Sequence, residues 1–300
     1  MKIGVIGLGN IAQKAYLPIL TNINDLELIL CTRNTDTLDR IANKYHISQK
    51  ANTVDELIEQ GIDAAFVHAS TDAHIEILEK LINNNIHVYV DKPISNFYND
   101  SLKIVELAEK KAITLMVGFN RRFAPMYTKL KEQKNPNTII IQKNRINSPG
   151  NLRTLIYDDF IHVLDTARYL LPDSIETIQV HGLKKDMKFF NIIVQLQSKS
   201  CTAIAIMNRD NGINEEIAEL IVPGNKFVVR NLDTMSHFLN GEEKILRHKD
   251  WDPILYRRGF EQTIYYFLDC VRNGNSASHL LKNALITHEI CEKIITELES

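Results

Sequence analysis

Cysteine is scarce and scattered: Cys31, Cys201, Cys270 and Cys291 are the four in 300 residues, and no two stand in a C-x-x-C spacing. In a chain long enough to build its own core, that pattern excludes a disulfide framework and a zinc ribbon and leaves reduced thiols as the expectation, with no metal site. Charge of one sign is also missing. The 35 basic and 37 acidic residues give a formal net charge of −2 without a long single-sign block, so the electrostatic footprint of a nucleic-acid or anionic-membrane binder is absent and a small molecule is the expected partner. There is no long apolar run and no cleavage-site pattern ahead of the first strand, which predicts neither signal peptide nor membrane span and a soluble, cytoplasmic protein. Internal repeats and low-complexity segments are lacking too.

What is present is ample apolar material, 44% of the chain, enough for two modest domains. The apolar run Lys2–Gly7 enters Gly7-Leu8-Gly9-Asn10-Ile11-Ala12, and a helical pattern with Gln13, Lys14 and Leu17 follows at once. Strand, glycine turn and helix N-terminus in that order form a seat for a dinucleotide pyrophosphate, because small residues let the backbone approach and free N–H groups meet the phosphates. A tight strand-to-helix turn with no ligand is the other reading of these glycines. Short apolar runs at Ile3–Gly7, Leu26–Cys31, Ala64–His68, His87–Val90 and Thr114–Val117 alternate with helical patterns such as Thr53–Gln60, Ala73–Asn83 and Tyr98–Lys111. This βαβ rhythm predicts a doubly covered parallel sheet, a Rossmann domain over residues 1–119, with ligands beyond the carboxyl ends of its strands.

Past residue 120 the rhythm changes. Thr138–Gln142, Ile175–His181, Phe189–Gln197, Cys201–Met207, Glu216–Val222 and Lys226–Asn231 follow one another with few helices between, and Pro223-Gly224-Asn225 and Asn240-Gly241 are hairpin-type turn signals. An α+β domain with a largely antiparallel open sheet is predicted over residues 120–300. Two closing helices, around Tyr256–Val271 and Leu280–Leu298, are expected to pack back on the first domain.

The second strand ends Leu30-Cys31-Thr32-Arg33-Asn34, without the carboxylate that holds an NAD ribose. Its absence removes a repulsion, and Arg33 with Thr32 can receive a 2′-phosphate, which favours NADP over NAD. The competing reading makes Arg33 a solvated loop residue and gives the ribose to Asn34.

Two further stretches carry chemistry. Val88-Tyr89-Val90 runs into Asp91-Lys92-Pro93, which sets Lys92 at the carboxyl edge of the sheet, either as a proton donor or as an ordinary loop lysine. In Asp158-Asp159-Phe160-Ile161-His162-Val163-Leu164-Asp165, Asp158, His162 and Asp165 fall at i, i+4 and i+7. On a regular helix they span roughly 60° of one face, opposite Ile161, Leu164, Ala167 and Leu171. The structural alternative has an aspartate capping the helix and Asp165 pairing with Arg168, leaving His162 an interior residue.

These segments, with Gly118-Phe119-Asn120-Arg121-Arg122-Phe123, resemble the Gfo/Idh/MocA oxidoreductases in order and spacing over nearly the whole chain, and look most like the MviM type. The resemblance implies that Lys92 is the catalytic lysine, with His162 and Asp158 completing the proton-transfer and substrate-orienting set. Asp165, on the face shared with Asp158 and His162, is a further substrate-binding candidate, and the resemblance implies that Asn120 and Arg121 line the substrate side. It places Gly7, Gly9, Asn10, Ile11, Ala12, Thr71, His74 and Asp91 on the cofactor side with Thr32 and Arg33, although Asp72 stands where the family usually has proline after the threonine. An NADP-dependent sugar or polyol dehydrogenase that forms a homodimer or homotetramer through the open sheet is what the resemblance implies. A redox-assisted sugar hydrolase or lyase with tightly held NAD(P), and a non-catalytic NADPH or sugar binder, are the alternatives.

Overall fold

The computed structural model describes residues 1–274 and 277–300. Its contacts divide the chain into two units: Met1–Gly118 with Thr263–His288, and Phe119–Gln262 with Glu289–Ser300. In the first unit, β1 (Lys2–Ile6), β2 (Glu27–Cys31), β3 (Lys50–Ala51), β4 (Ala64–Val67), β5 (His87–Val90) and β6 (Leu115–Val117) form one parallel sheet in the order β3-β2-β1-β4-β5-β6. The order reverses at β1, the switch point where open α/β sheets bind ligands. Continuous burial along β1 and β4 matches a sheet covered on both faces. Local chemistry starts the covering helices. The Asn34 side chain accepts the Thr37 N–H and opens Thr35–Tyr45, while Thr53 accepts the Glu56 N–H and opens Val54–Glu59. Phe267 packs edge-on against Phe66 and Tyr89, with ring centroids 5.3 and 5.6 Å apart.

In the second unit β7 (Thr138–Asn144), β8 (Ile175–Lys185), β9 (Lys188–Ser198), β10 (Thr202–Asn208), β11 (Glu215–Val222), β12 (Asn225–Arg230), β13 (Thr234–Leu239) and β14 (Glu242–Arg247) form an eight-stranded sheet, β14-β13-β12-β11-β7-β10-β9-β8. All its pairings are antiparallel except β7 with β10. Burial alternates along β10, with Ala203, Ala205 and Met207 inside and Ile204 and Ile206 half-covered, as expected of a sheet with one packed face. The last hairpin, β13 with β14, was foreshadowed only by its Asn240-Gly241 turn. The four cysteines are buried and free, and no helix among the described residues is long and apolar enough to cross a membrane.

Candidate functional site

The glycine turn sits at the carboxyl end of β1. The Gly7 N–H donates to the Cys31 carbonyl at 2.9 Å and the His68 N–H to the Ile6 carbonyl at 2.7 Å, which draws the ends of β1, β2 and β4 together. Gly7 has φ of 84°, and a Cβ there would lie 2.5 Å from the Ala69 backbone nitrogen, whereas Gly9 faces open space. A cleft of about 540 Å³ opens beside this turn, lined by Gly7, Gly9, Thr32, Arg33, His68 and Ser70 among others. Backbone that only glycine can adopt, at the mouth of a cleft beside a helix N-terminus, fits a dinucleotide pyrophosphate. Gly7→Ala is expected to cost about 2 kcal/mol from left-handed strain and the backbone clash, read as a lowered denaturant midpoint.

Other cofactor-side residues divide between the cleft and its supports. Asn10 is exposed at the turn, Ile11 is half-buried, and Ala12 is buried at the start of a π-helical turn, Ala12–Tyr16. Thr71 opens the helix Thr71–Asn83 behind Ser70. His74 is buried and faces two carbonyls, Nδ1 to Pro93 at 2.9 Å and Nε2 to Ala69 at 3.1 Å. Burial lowers its pKa, and as a neutral imidazole with one N–H it donates to one of these carbonyls and packs beside the other, which seats it between two loops. Asn34, a candidate for the ribose, has its side-chain oxygen committed to its helix cap, and Arg33 is exposed on the cleft wall.

His68, which sequence reasoning passed over, lies in the floor of this cleft. It is 5% exposed, its ring lies tilted by 32° with its centroid 3.9 Å from that of Tyr16, and neither ring nitrogen has a hydrogen-bond partner. Burial, with a further push from His74, lowers its pKa to about 3. Tyr16 continues to Tyr89 through a 3.2 Å hydroxyl contact. No periodicity marks such a residue, because His68 simply occupies the position after a buried strand.

Lys92 is half-buried in a loop held from several sides. The Asp91 N–H donates to the Val67 carbonyl, and the Lys92 N–H donates to Asp91 Oδ1 at 3.0 Å. His74 holds the Pro93 carbonyl, and the Ile94 N–H donates to His288 Nε2 at 3.0 Å. Lys92–Pro93 is a cis peptide. Burial pushes the Asp91 carboxyl up to about 6, with Lys92 offsetting part of the effect.

In the second unit the helical segment around His162 is not the regular helix that the spacing predicts. Leu152–Leu155 and Ile161–Leu170 are joined by a π-helical turn, Ile156–Phe160, which breaks the regular i, i+4 relation between Asp158 and His162. Such turns recur at functional sites. The expected split into polar and apolar faces is corrected as well: Asp158 is exposed, while every residue from Ile161 to Ala167 is buried, His162 at 9% and Asp165 at 1% exposure. Asp165, read from sequence on the substrate side, is instead held by both arms of Arg122. Arg121, read likewise, forms a two-pronged ion pair with Glu216, both bonds 2.7 Å, and Tyr127 donates to the same carboxylate. Asn120 donates to the Arg258 carbonyl at 2.7 Å. Burial opposes ionisation of Glu216, but Arg121, Lys143 and Tyr127 together outweigh it and lower its pKa.

Residues 1–119 match a family model, GFO_IDH_MocA, described as an oxidoreductase family with an NAD-binding Rossmann fold. Residues 125–239 match one described as a YceM-like C-terminal domain. The chain is 32% identical to the Salmonella typhimurium protein named "Putative oxidoreductase YceM", over 98% of this chain and 97% of that one. A crystal structure of a dehydrogenase, MviM, from Clostridium difficile aligns with a TM-score of 0.94 at 34% identity, covering 99% of each chain. A myo-inositol 2-dehydrogenase from Thermotoga maritima is 31% identical over 202 residues, 61% of this chain and 58% of its own length.

Proposed function

Because this chain belongs to the Gfo/Idh/MocA oxidoreductase family, we propose that it transfers a hydride between NADP(H) and a sugar, polyol or related hydroxy compound. The single observation that carries this reading is the glycine-only turn opening on the cleft beside Arg33. Gly7, Gly9 and the following helix start would hold the pyrophosphate, and Thr32 and Arg33 the adenosine 2′-phosphate. When bound, the nicotinamide supplies the hydride acceptor or donor. The protein's own part is the proton: Lys92 and His162 exchange it with the substrate hydroxyl, and Asp158 orients the imidazole and favours its charged form. The inositol dehydrogenase relative supports a polyol-like substrate. Half-covered Ile140, Ile193, Ile204 and Ile206 on one face of the second sheet support a homo-oligomer built on that face.

NADPH is expected to bind roughly tenfold or more tightly than NADH, about 1.4 kcal/mol. Arg33→Ala is expected to erase that difference by weakening NADPH alone. Fluorescence titration of the reduced nucleotides, followed by a screen of sugars and polyols for nucleotide reduction, checks both. Equal affinities overturn the NADP assignment; failure of both nucleotides to bind overturns the whole reading.

A further inference from the structure

Beside Asp158 and His162 in the second unit, one carboxylate collects three cations. Lys143 Nζ contacts Asp159 Oδ1, while Arg145 Nε and Arg209 donate to Oδ2 at 3.2 and 2.5 Å. The cluster is assembled from β7, the π-helical turn and the end of β10, so Asp159 sits one residue from Asp158 and three from His162. Glu216 lies opposite Lys143 in the β7–β11 pairing and holds Arg121 in an ion pair, which brings both to the cluster. Lys143, Arg145, Arg209 and Arg121 are four cations facing two carboxylates, Asp159 and Glu216, an excess of two positive charges. Glu215, which accepts from Asn144 and Asn211, and the exposed Asp158, one residue from Asp159, bring the formal count to balance.

Burying a cation costs several kcal/mol unless its charge is matched, and a structural network comes closest to neutrality where it is driest. Here Lys143 has only 6% of its side chain exposed, and burial, reinforced by Arg121, lowers its pKa to about 8 against the pull of Asp159 and Glu216, so the amine stays mostly charged at neutral pH but holds its proton less firmly than a free lysine. The region therefore disfavours further positive charge. All three nitrogens of Arg209 are engaged, since it also donates from Nε and Nη2 to the Ser148 carbonyl and hydroxyl. Arg145 differs. Its side chain is 36% exposed, and among the described residues it donates through Nε alone, to Asp159. Its two terminal amino groups remain for a ligand, aimed by an anchored Nε, and a planar guanidinium suits an oxyanion better than it suits a neutral hydroxyl.

We infer that the substrate carries an oxyanion, a carboxylate or a phosphate, which the terminal amino groups of Arg145 hold in the positive field of Lys143 and Arg209. This rests on the oxidoreductase reading for the identity of the reacting centre, while the anion contact is independent of turnover. It narrows the substrate class from neutral polyols to sugar acids or sugar phosphates.

The test is binding to the full chain in the presence of NADPH, by calorimetry, of matched sets differing only in charge: glucose, gluconate, glucuronate and glucose 6-phosphate. At least one anionic member is expected to bind roughly tenfold or more tightly than glucose, with the advantage shrinking as salt rises. Carboxylate against phosphate members tell which oxyanion is preferred. Arg145→Gln is expected to remove about a factor of ten of that preference while NADPH still binds, which shows the variant is folded. Lys143→Met, which leaves Asp159 its two arginines, is a second variant expected to weaken the same members. Equal affinity for charged and neutral members, no binding by any, or a preference that survives both variants overturns the inference. Anion-selective binding without nucleotide turnover upholds the inference and sinks the redox reading instead.

Discussion

Replacing Lys92 by alanine is expected to lower kcat by about a thousandfold or more, with nucleotide affinity within roughly twofold of the parent. A positioned acid or base contributes about 10²–10⁴ in rate, equivalent to about 3–5 kcal/mol of barrier. The upper half of that range is expected because the loop is pinned through four successive residues: Asp91 to Val67, Lys92 to Asp91, Pro93 to His74 and Ile94 to His288. A side chain carried on so constrained a backbone has little positional freedom to lose on reaching the reactive geometry. Removing it should leave the loop in place, since none of those bonds uses the lysine side chain. Single-turnover kinetics with pre-bound nucleotide separates the outcomes. Full turnover by the variant would refute the proton-transfer role, and loss of nucleotide binding would move Lys92 to the cofactor seat. If the role is correct, His74→Phe should lower kcat as well, more modestly, because it frees the Pro93 carbonyl without touching the amine.

The parts of this arrangement that were legible in the sequence are those written in consecutive residues. Gly7 announces its turn because positive φ at the end of a buried strand calls for glycine. The parallel sheet follows from apolar runs spaced by helical patterns, and Lys92 from its place just after one of those runs. What stayed hidden is what the fold assembles from distant positions. Lys143, Asp159 and Arg209 meet only because β7 and β10 lie side by side under one helix, a parallel pairing in a sheet that otherwise reads as hairpins. The π-helical turn at Ile156–Phe160 was equally invisible: the letters Asp158, His162 and Asp165 fit a regular helix, and one wider turn reassigns which aspartate faces Lys143. Asp165 and Arg121 looked available because nothing in the sequence reveals that Arg122 and Glu216 will occupy them.

Acid is expected to destabilise the protein through His68, by about 3 kcal/mol between pH 7 and pH 4, and His68→Phe is expected to remove that component. The sign follows from where the proton binds. In the unfolded chain His68 titrates near 6.5, whereas in the folded protein burial and His74 hold its pKa at about 3. Between those values the unfolded chain takes up a proton that the native state refuses, so stability is full above about 6.5 and falls as pH drops. The native ring has neither nitrogen hydrogen-bonded and packs tilted against Tyr16, with centroids 3.9 Å apart, and within 6.2 Å of Phe66. A phenyl ring can keep those contacts, and it also relieves the two unpartnered nitrogens, so the variant is expected to match or exceed the parent at pH 7. Urea unfolding of both proteins across the pH range measures the difference directly and cancels every other titrating group. Parallel curves for parent and variant would show that His68 accepts its proton in the native state, which would require the imidazole to swing out of the floor of the cleft. A residue buried neutral at the proposed nucleotide seat ties that seat to acid lability: protonating the ring and keeping the cleft floor closed are mutually exclusive.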